Sequence, residues 1–177
     1  MKTIDVVLVD ASDREIGLME KLEAHEKGLL HRAFSVFIYN SEGNMLLQQR
    51  ADKKYHSGGL WTNACCSHPL PDENVAHAAG RRLLEEMGLT AELEPSFSFI
   101  YNARLDNGLV EHEYDHVFVG ICNEVPDINP DEVKSFRWMS DEEILREINS
   151  SPHNFTAWFH IAFRMLMERK SKALIPC

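Results

Sequence analysis

Long apolar stretches are missing from this sequence. Its runs of purely hydrophobic residues are only a few positions long, whereas a bilayer-crossing helix needs about 20. Internal repeats and low-complexity segments are missing as well, so one globular domain is the expectation for a chain of 177 residues. Basic charge is scarce: 18 Lys and Arg stand against 28 Asp and Glu, a net charge of −10. That balance excludes nucleic acid as the main partner, although a local basic cluster can still hold a small phosphorylated molecule. Cysteine is scarce too. Of Cys65, Cys66, Cys122 and Cys177, the first two are adjacent, and a bridge between neighbours is strained. No disulfide framework is expected, which points to a reducing compartment, with cytoplasm as the default. The opening MKTIDVVLVD sets Asp5 and Asp10 around a short Val/Leu run and reads as a strand, not a secretion signal.

What is present is ordinary globular material, 44% hydrophobic and 26% charged. Ile4 to Val9 is expected as a first strand, and Met19 to Ala24 as a short helical or turn-rich piece. His31 to Tyr39 is thick in apolar and aromatic residues, Ser41 to Asn44 supplies a turn, and Met45 to Gln49 continues, so a β-hairpin is expected there. Ala51 to Leu60 is polar, carries Gly58-Gly59 and reads as a loop over a site. Val75, Ala79, Leu83 and Met87 fall on one helical face, Asn74 is placed to cap that helix and Gly88 to end it. Phe97 to Ala103, Val110 to Ile121 and Ser135 to Met139 read as strands. A helix capped by Ser140 is expected to Ile148, and another from Phe155 to Lys170. Central strands with flanking helices predict an α/β or α+β sandwich.

Four groups of residues carry chemistry. The segment WTNACCSHP, Trp61 to Pro69, puts Cys66 two positions before His68 beside a Gly-rich loop, a pattern for a nucleophile or a metal ligand, although small buried cysteines are common. His25 and His31 lie six apart, so a turn must bring their rings together. Glu111 and Glu113 alternate in VEHEYDHVF and share one face of a strand, where two carboxylates repel unless a cation intervenes. Three imidazoles and two carboxylates suit a six-coordinate Mn2+, Mg2+ or Zn2+ better than closed tetrahedral zinc. Finally Arg50, Lys54 and Arg82 are the basic residues suited to a diphosphate clamp; surface solubility is the alternative for these, two surface histidines for His25 and His31, and a solvated strand face for Glu111 and Glu113.

Taken together these motifs resemble the type I isopentenyl-diphosphate isomerases along nearly the whole chain. The resemblance is carried by TNACCSHP at Thr62 to Pro69, AHEKGLLHRAFSV around His25 and His31, RRLLEEMGL at Arg81 to Leu89 and EHEYDHVF at Glu111 to Phe118. It implies a single-domain Nudix-like fold, a mixed β-sheet sandwich with flanking helices. A degenerate Nudix box is present. Glu73, Arg81, Glu85, Glu86 and Gly88 match it, Ser67 stands for its first Gly, and Arg82 replaces an acid. Loss of that acid argues against diphosphate hydrolysis, and the new cation fits a site that holds diphosphate intact.

By matching positions the resemblance implies Cys66 and Glu113 as catalytic, with Tyr101 supporting the glutamate and Trp158 facing the reacting carbons. It implies His25, His31, His68, Glu111 and Glu113 as ligands of a divalent metal (Mn2+, Mg2+ or Zn2+), Glu86 as the acid for an Mg2+ on the substrate, and Arg50, Lys54 and Arg82 as the diphosphate clamp. Cys65 receives no chemistry. The implied reaction interconverts isopentenyl and dimethylallyl diphosphate, with no nucleic-acid or membrane partner, in a monomer or weak homodimer. Its rivals are a nucleoside-diphosphate Nudix hydrolase, a non-enzymatic metal-binding module and a cysteine-dependent acyl-transfer enzyme.

Overall fold

The computed structural model describes residues 4–173, and Cys177 lies outside them. Its centre is β3 (His31–Tyr39), whose nine residues are all buried except Arg32. Such a strand must be covered on both faces and occupied on both edges. One edge pairs in parallel with β8 (Val110–Ile121) along its full length, from His31↔Glu113 to Tyr39↔Ile121. The other edge is shared by three strands. β1 (Asp5–Val9) meets it at His31, β6 (Cys65–Ser67) at Phe34 to Val36, and β4 (Met45–Arg50) at Tyr39. Around this axis, β2 (Glu15–Glu20) pairs with β1, β5 (Trp61–Thr62) and β9 (Val133–Met139) pair with β4, and β7 (Leu93–Arg104) pairs with β8.

Alternation along β3 sorts its side chains into two cores. Phe34, Val36 and Ile38 pack with Cys65, Ala79, Leu83 and Met87. These last three come from α2 (Val75–Met87), which runs between an Asn74 cap and left-handed Gly88. Phe37 and Tyr39 face the opposite way, toward Val117, Tyr101, Trp158, Phe159 and Phe163. That second core is closed by α3 (Asp141–Ser150), opened by a Ser140–Glu143 capping box, and by α4 (Ala157–Ala173). The sheet is thus sandwiched between α2 and the C-terminal helices.

Several expectations change. Met19 and Glu20 are the end of β2, and the helix α1 covers Lys21–Lys27 instead. The expected hairpin keeps its turn, where the Asn40 side chain accepts from the backbone of Glu42 and Asn44. Its pairing stops at Tyr39↔Met45, because β4 departs to pair with β9. Trp61–Thr62 and Cys65–Ser67 are short strands within the cysteine motif. Phe155 precedes the last helix and forms a bridge with Trp61.

Two glycines of α2 give opposite expectations. Gly88 sits at φ +65°, and an added Cβ would lie 2.6 Å from the Asp127 carbonyl oxygen. Gly80 lies within the helix, and an added Cβ there meets nothing within 4 Å. In urea unfolding, Gly88→Ala should lose more than about 1 kcal/mol, whereas Gly80→Ala should gain about 0.5–1 kcal/mol.

Candidate active site

The pleat decides which groups meet. β6 is three residues long, and Val36↔Cys65 and Ser35↔Cys66 are successive pairs. Cross-strand partners share a face, so Cys65 enters the core under α2 and Cys66 enters the space on the other side. On the far edge of β3, Glu111, Glu113 and Asp115 share the inward face of β8, with His31 directly opposite Glu113 on one side and Tyr101 on the other. Cys66 and Glu113 therefore approach one pocket from strands that flank β3. That pocket is a solvent-open cleft, lined also by Arg50, Lys54, Arg82 and Trp158.

At its base His25, His31, His68 and Glu113 each bring a donor atom within 4.8 Å of the others. His25 reaches this place from α1 and His31 from β3, with Gly28 turning the chain between them in a left-handed cap. Both imidazoles direct Nδ1 to a backbone carbonyl, His25 to Lys21 at 2.7 Å and His31 to Leu29 at 2.8 Å. This leaves both Nε2 atoms buried without a partner, the arrangement in which an imidazole is oriented for a metal. His68 Nε2 lies 2.9 Å from Glu113 Oε1 and His31 Nε2 3.6 Å. Ligands about 2.1 Å from one ion stand roughly 3 Å apart when adjacent, so the donor set fits a divalent cation.

Glu111 stands beside this group. Its carboxylate groups with His25 and with His56, whose Nε2 is 3.4 Å from Glu111 Oε1. The Tyr101 hydroxyl ties the two acids together, donating to Glu113 at 2.5 Å with Glu111 at 3.2 Å. Burial and then the neighbouring Glu113 charge push the Glu111 carboxyl well up. Burial pushes Glu113 in the same direction, but the neighbouring His31 imidazole and the hydrogen bond with His68 outweigh it and hold that carboxyl low. One proton is thus retained where a dication would let both carboxylates ionise. Burial also lowers the imidazoles, His68 to about 3 and His56 to about 2, so both are neutral. The Cys66 thiol is pushed up to about 12 by burial, opposed by Arg50, whose Nη1 stands 3.8 Å from the sulfur. The same guanidinium lies 5.3 Å over the Trp158 ring.

The basic residues converge on the mouth. Arg82 Nη2 binds Glu86 at 2.6 Å and lies 3.5 Å from Glu132, which also pairs with Lys54. Glu86 is buried and receives Gln48 Nε2 at 3.0 Å. Arg81 is absorbed elsewhere, in paired bonds to Glu73 at 2.7 Å and in contact with Glu85. The sequence reading omitted Lys21, His56 and Glu132. Lys21 opens α1, and it too lines the cleft. No described helix is long and apolar enough to cross a membrane.

Lys21 yields a pH expectation. Burial first, then Lys54 and Arg50, lower its ammonium to about 8, so it is charged below that pH and neutral above it. Pyrophosphate affinity in calorimetry should weaken as pH rises through about 8, and Lys21→Arg should retain binding to higher pH because a guanidinium stays charged.

Comparison with known proteins agrees with this architecture. The NUDIX domain family matches residues 29–159. An isopentenyl-diphosphate Delta-isomerase of Pectobacterium atrosepticum is 55% identical over 163 residues, covering 92% of this chain and 91% of its own. One from Aliivibrio fischeri is 46% identical, with 95% and 97% covered. Among solved structures, a Deinococcus radiodurans protein superposes with a TM-score of 0.69 at 18% identity, over 83% of this chain and 90% of that one. The MutT protein of Methanosarcina mazei gives 0.64 at 22%, over 81% and 96%. These two share the fold alone. With the high identity over almost the full length of its relatives, the chain belongs to the isopentenyl-diphosphate Delta-isomerases of the NUDIX domain family.

Proposed function

We propose that this enzyme interconverts isopentenyl and dimethylallyl diphosphate by adding a proton at one end of the allylic unit and removing one at the other, with Glu113–Tyr101 and Cys66 as the exchanging groups. The observation that carries the reading is that Cys66 and Glu113, delivered by strands on the two edges of β3, line one small cleft with a basic mouth.

An unactivated alkene is a weak base, so its protonation creates tertiary carbocation character that the site must tolerate. On the β8 side, burial and the flanking carboxylates hold the Tyr101 phenol protonated in a short bond to ionised Glu113, so the transferable proton is one that Glu113 takes up. Its transfer to the terminal methylene of isopentenyl diphosphate places positive charge on the branched carbon. Loss of a proton from the adjacent methylene to the Cys66 thiolate then forms the new double bond. The reverse reaction exchanges the roles, which the protonated resting thiol of Cys66 serves directly. Forward turnover needs that thiol deprotonated, and Arg50 is the cation placed to hold the thiolate.

The indole of Trp158 is 2% exposed and already accepts a guanidinium over its ring. It would stabilise a developing carbocation by about 2 kcal/mol. Water must be kept from trapping that cation as an alcohol, and a diphosphate seated in the mouth above buried Glu113 and Trp158 would exclude it. Arg50, Lys54, Arg82 and Lys21 would bind the diphosphate and so hold a hydrocarbon with no polar handle of its own. His25, His31, His68, Glu111 and Glu113 would hold a divalent ion (Mn2+, Mg2+ or Zn2+), and Glu86 an Mg2+ that arrives with the diphosphate. When bound, the first ion fixes Glu113 and sets its proton affinity, and the second neutralises phosphate charge. We infer a cytoplasmic enzyme, monomeric or weakly dimeric.

Incubation with isopentenyl diphosphate and Mg2+ in D2O, followed by NMR, tests the reading. Deuterium should enter a dimethylallyl product, and release of phosphate without isomerisation would sink it. Cys66→Ala and Glu113→Gln should each lose about 10²–10⁴-fold in kcat. Cys65→Ala should keep its activity, because Cys65 faces the opposite core.

A further inference from the structure

The basic mouth of the cleft already carries an anion of its own. The Glu132 carboxylate is shared between two members of the diphosphate clamp, with one oxygen paired to Lys54 Nζ and the other 3.5 Å from Arg82 Nη2. The Lys54 and Glu132 side chains are 20% and 24% exposed, so water screens this contact less than it screens an open surface pair. The other two cations of the mouth are engaged differently. Arg50 stands by Cys66 Sγ and donates to the His56 carbonyl, and Lys21 lies 5.1 Å over the Tyr55 ring.

The backbone of Glu132 is fixed. Its N–H donates to the Asn129 carbonyl at 3.0 Å, and its own carbonyl accepts from the Ala51 N–H at 3.0 Å. Asn129 N–H in turn donates to the Glu86 carbonyl at 2.9 Å, which ties the segment to α2. Only side-chain torsions are left to lift the Glu132 carboxylate off the two cations. Glu86 differs, because it is buried and held by Gln48 as well as by Arg82. A carboxylate presents one negative charge on two oxygens, and a phosphoryl group presents similar oxygens with more charge. The first is held at high effective concentration by its tether; the second is the better partner for paired Arg and Lys donors.

We propose that Glu132 is a tethered stand-in for one phosphoryl group of the substrate, displaced from Lys54 and Arg82 when a diphosphate binds and restored when it leaves. This rests on the diphosphate clamp of the proposed function and deepens it. Substrate and product of a double-bond shift carry the same diphosphate, so an anchor that holds one tightly holds the other equally. An internal competitor loosens both alike and returns the mouth to an ion-paired state for the next molecule.

The test is pyrophosphate binding to the full-length protein, measured by calorimetry in EDTA so that no divalent metal takes part. Glu132→Gln and Glu132→Ala should each bind about 3–30-fold tighter than the wild type. Asp131→Asn removes the same charge one residue away, from an exposed side chain paired with Lys53, and should change affinity less than about 2-fold. Weaker binding by the Glu132 variants would overturn the proposal and make Glu132 a residue that orients the two cations. An equal gain in Asp131→Asn would overturn it as well, since net charge and not occupancy would be the cause. If the Glu132 variants match the wild type while Arg82→Ala loses binding, the stand-in fails and the clamp stands. If the wild type binds no pyrophosphate, the clamp fails and the stand-in with it.

Discussion

The parallel pairing of β3 with β8 is the constraint on which the molecule depends. The pair is buried over most of its length and fixed at nine successive positions, so neither strand can slide without turning a whole core to the wrong side. That pairing sets His31 beside Glu113, and the antiparallel partner β7 then sets Tyr101 on the other side of the same carboxylate. An imidazole far back along the chain, a carboxylate and a phenol from the neighbouring strand become one row across three strands. Precision at this carboxylate comes from backbone pairing more than from any local interaction.

Electrostatics divides the molecule in a way that net charge conceals. A chain with ten excess acids gathers Lys21, Arg50, Lys54 and Arg82 at one mouth. Two of those cations do not wait unpaired: Glu86 and Glu132 engage Arg82, and Glu132 engages Lys54. A diphosphate bound as proposed would compete with built-in carboxylates for the same donors, which would temper affinity and preorganise the side chains. The NUDIX scaffold is kept, but two acids of its signature, Glu73 and Glu85, are drawn to Arg81. Arg82 meets the buried carboxylate that remains.

Sequence patterning revealed those elements whose signals are local. Val75 to Met87 was legible because Asn74 and Gly88 mark its ends and its apolar spacing is helical. The helix after Ser140 was legible through its capping residue. Elements defined by distant pairing were harder to see. β2, EIGLME, is a half-exposed edge strand with no clear alternation, and only its register with β1 makes it a strand. The divergence of β3 from β4 is likewise set by β8 and β9, far along the chain. For the site, the CCSH and EHE motifs identified Cys66, His68 and Glu113. His56 sits in a polar loop with no periodicity, and nothing short of the fold shows that loop reaching Glu111.

The paired cysteines of β6 carry one more implication. A strand of three residues is held by few bonds, and a shift of one position would turn Cys65 toward the cleft and Cys66 toward α2. Such a shift would be silent to the eye of a sulfur chemist, since a thiol would still meet the alkene. His68 has no such understudy, because Ser67 or Pro69 would arrive in its stead. Duplicate thiols thus make this strand forgiving toward its substrate and strict toward its imidazole, and fidelity of assembly is enforced three residues past the first sulfur.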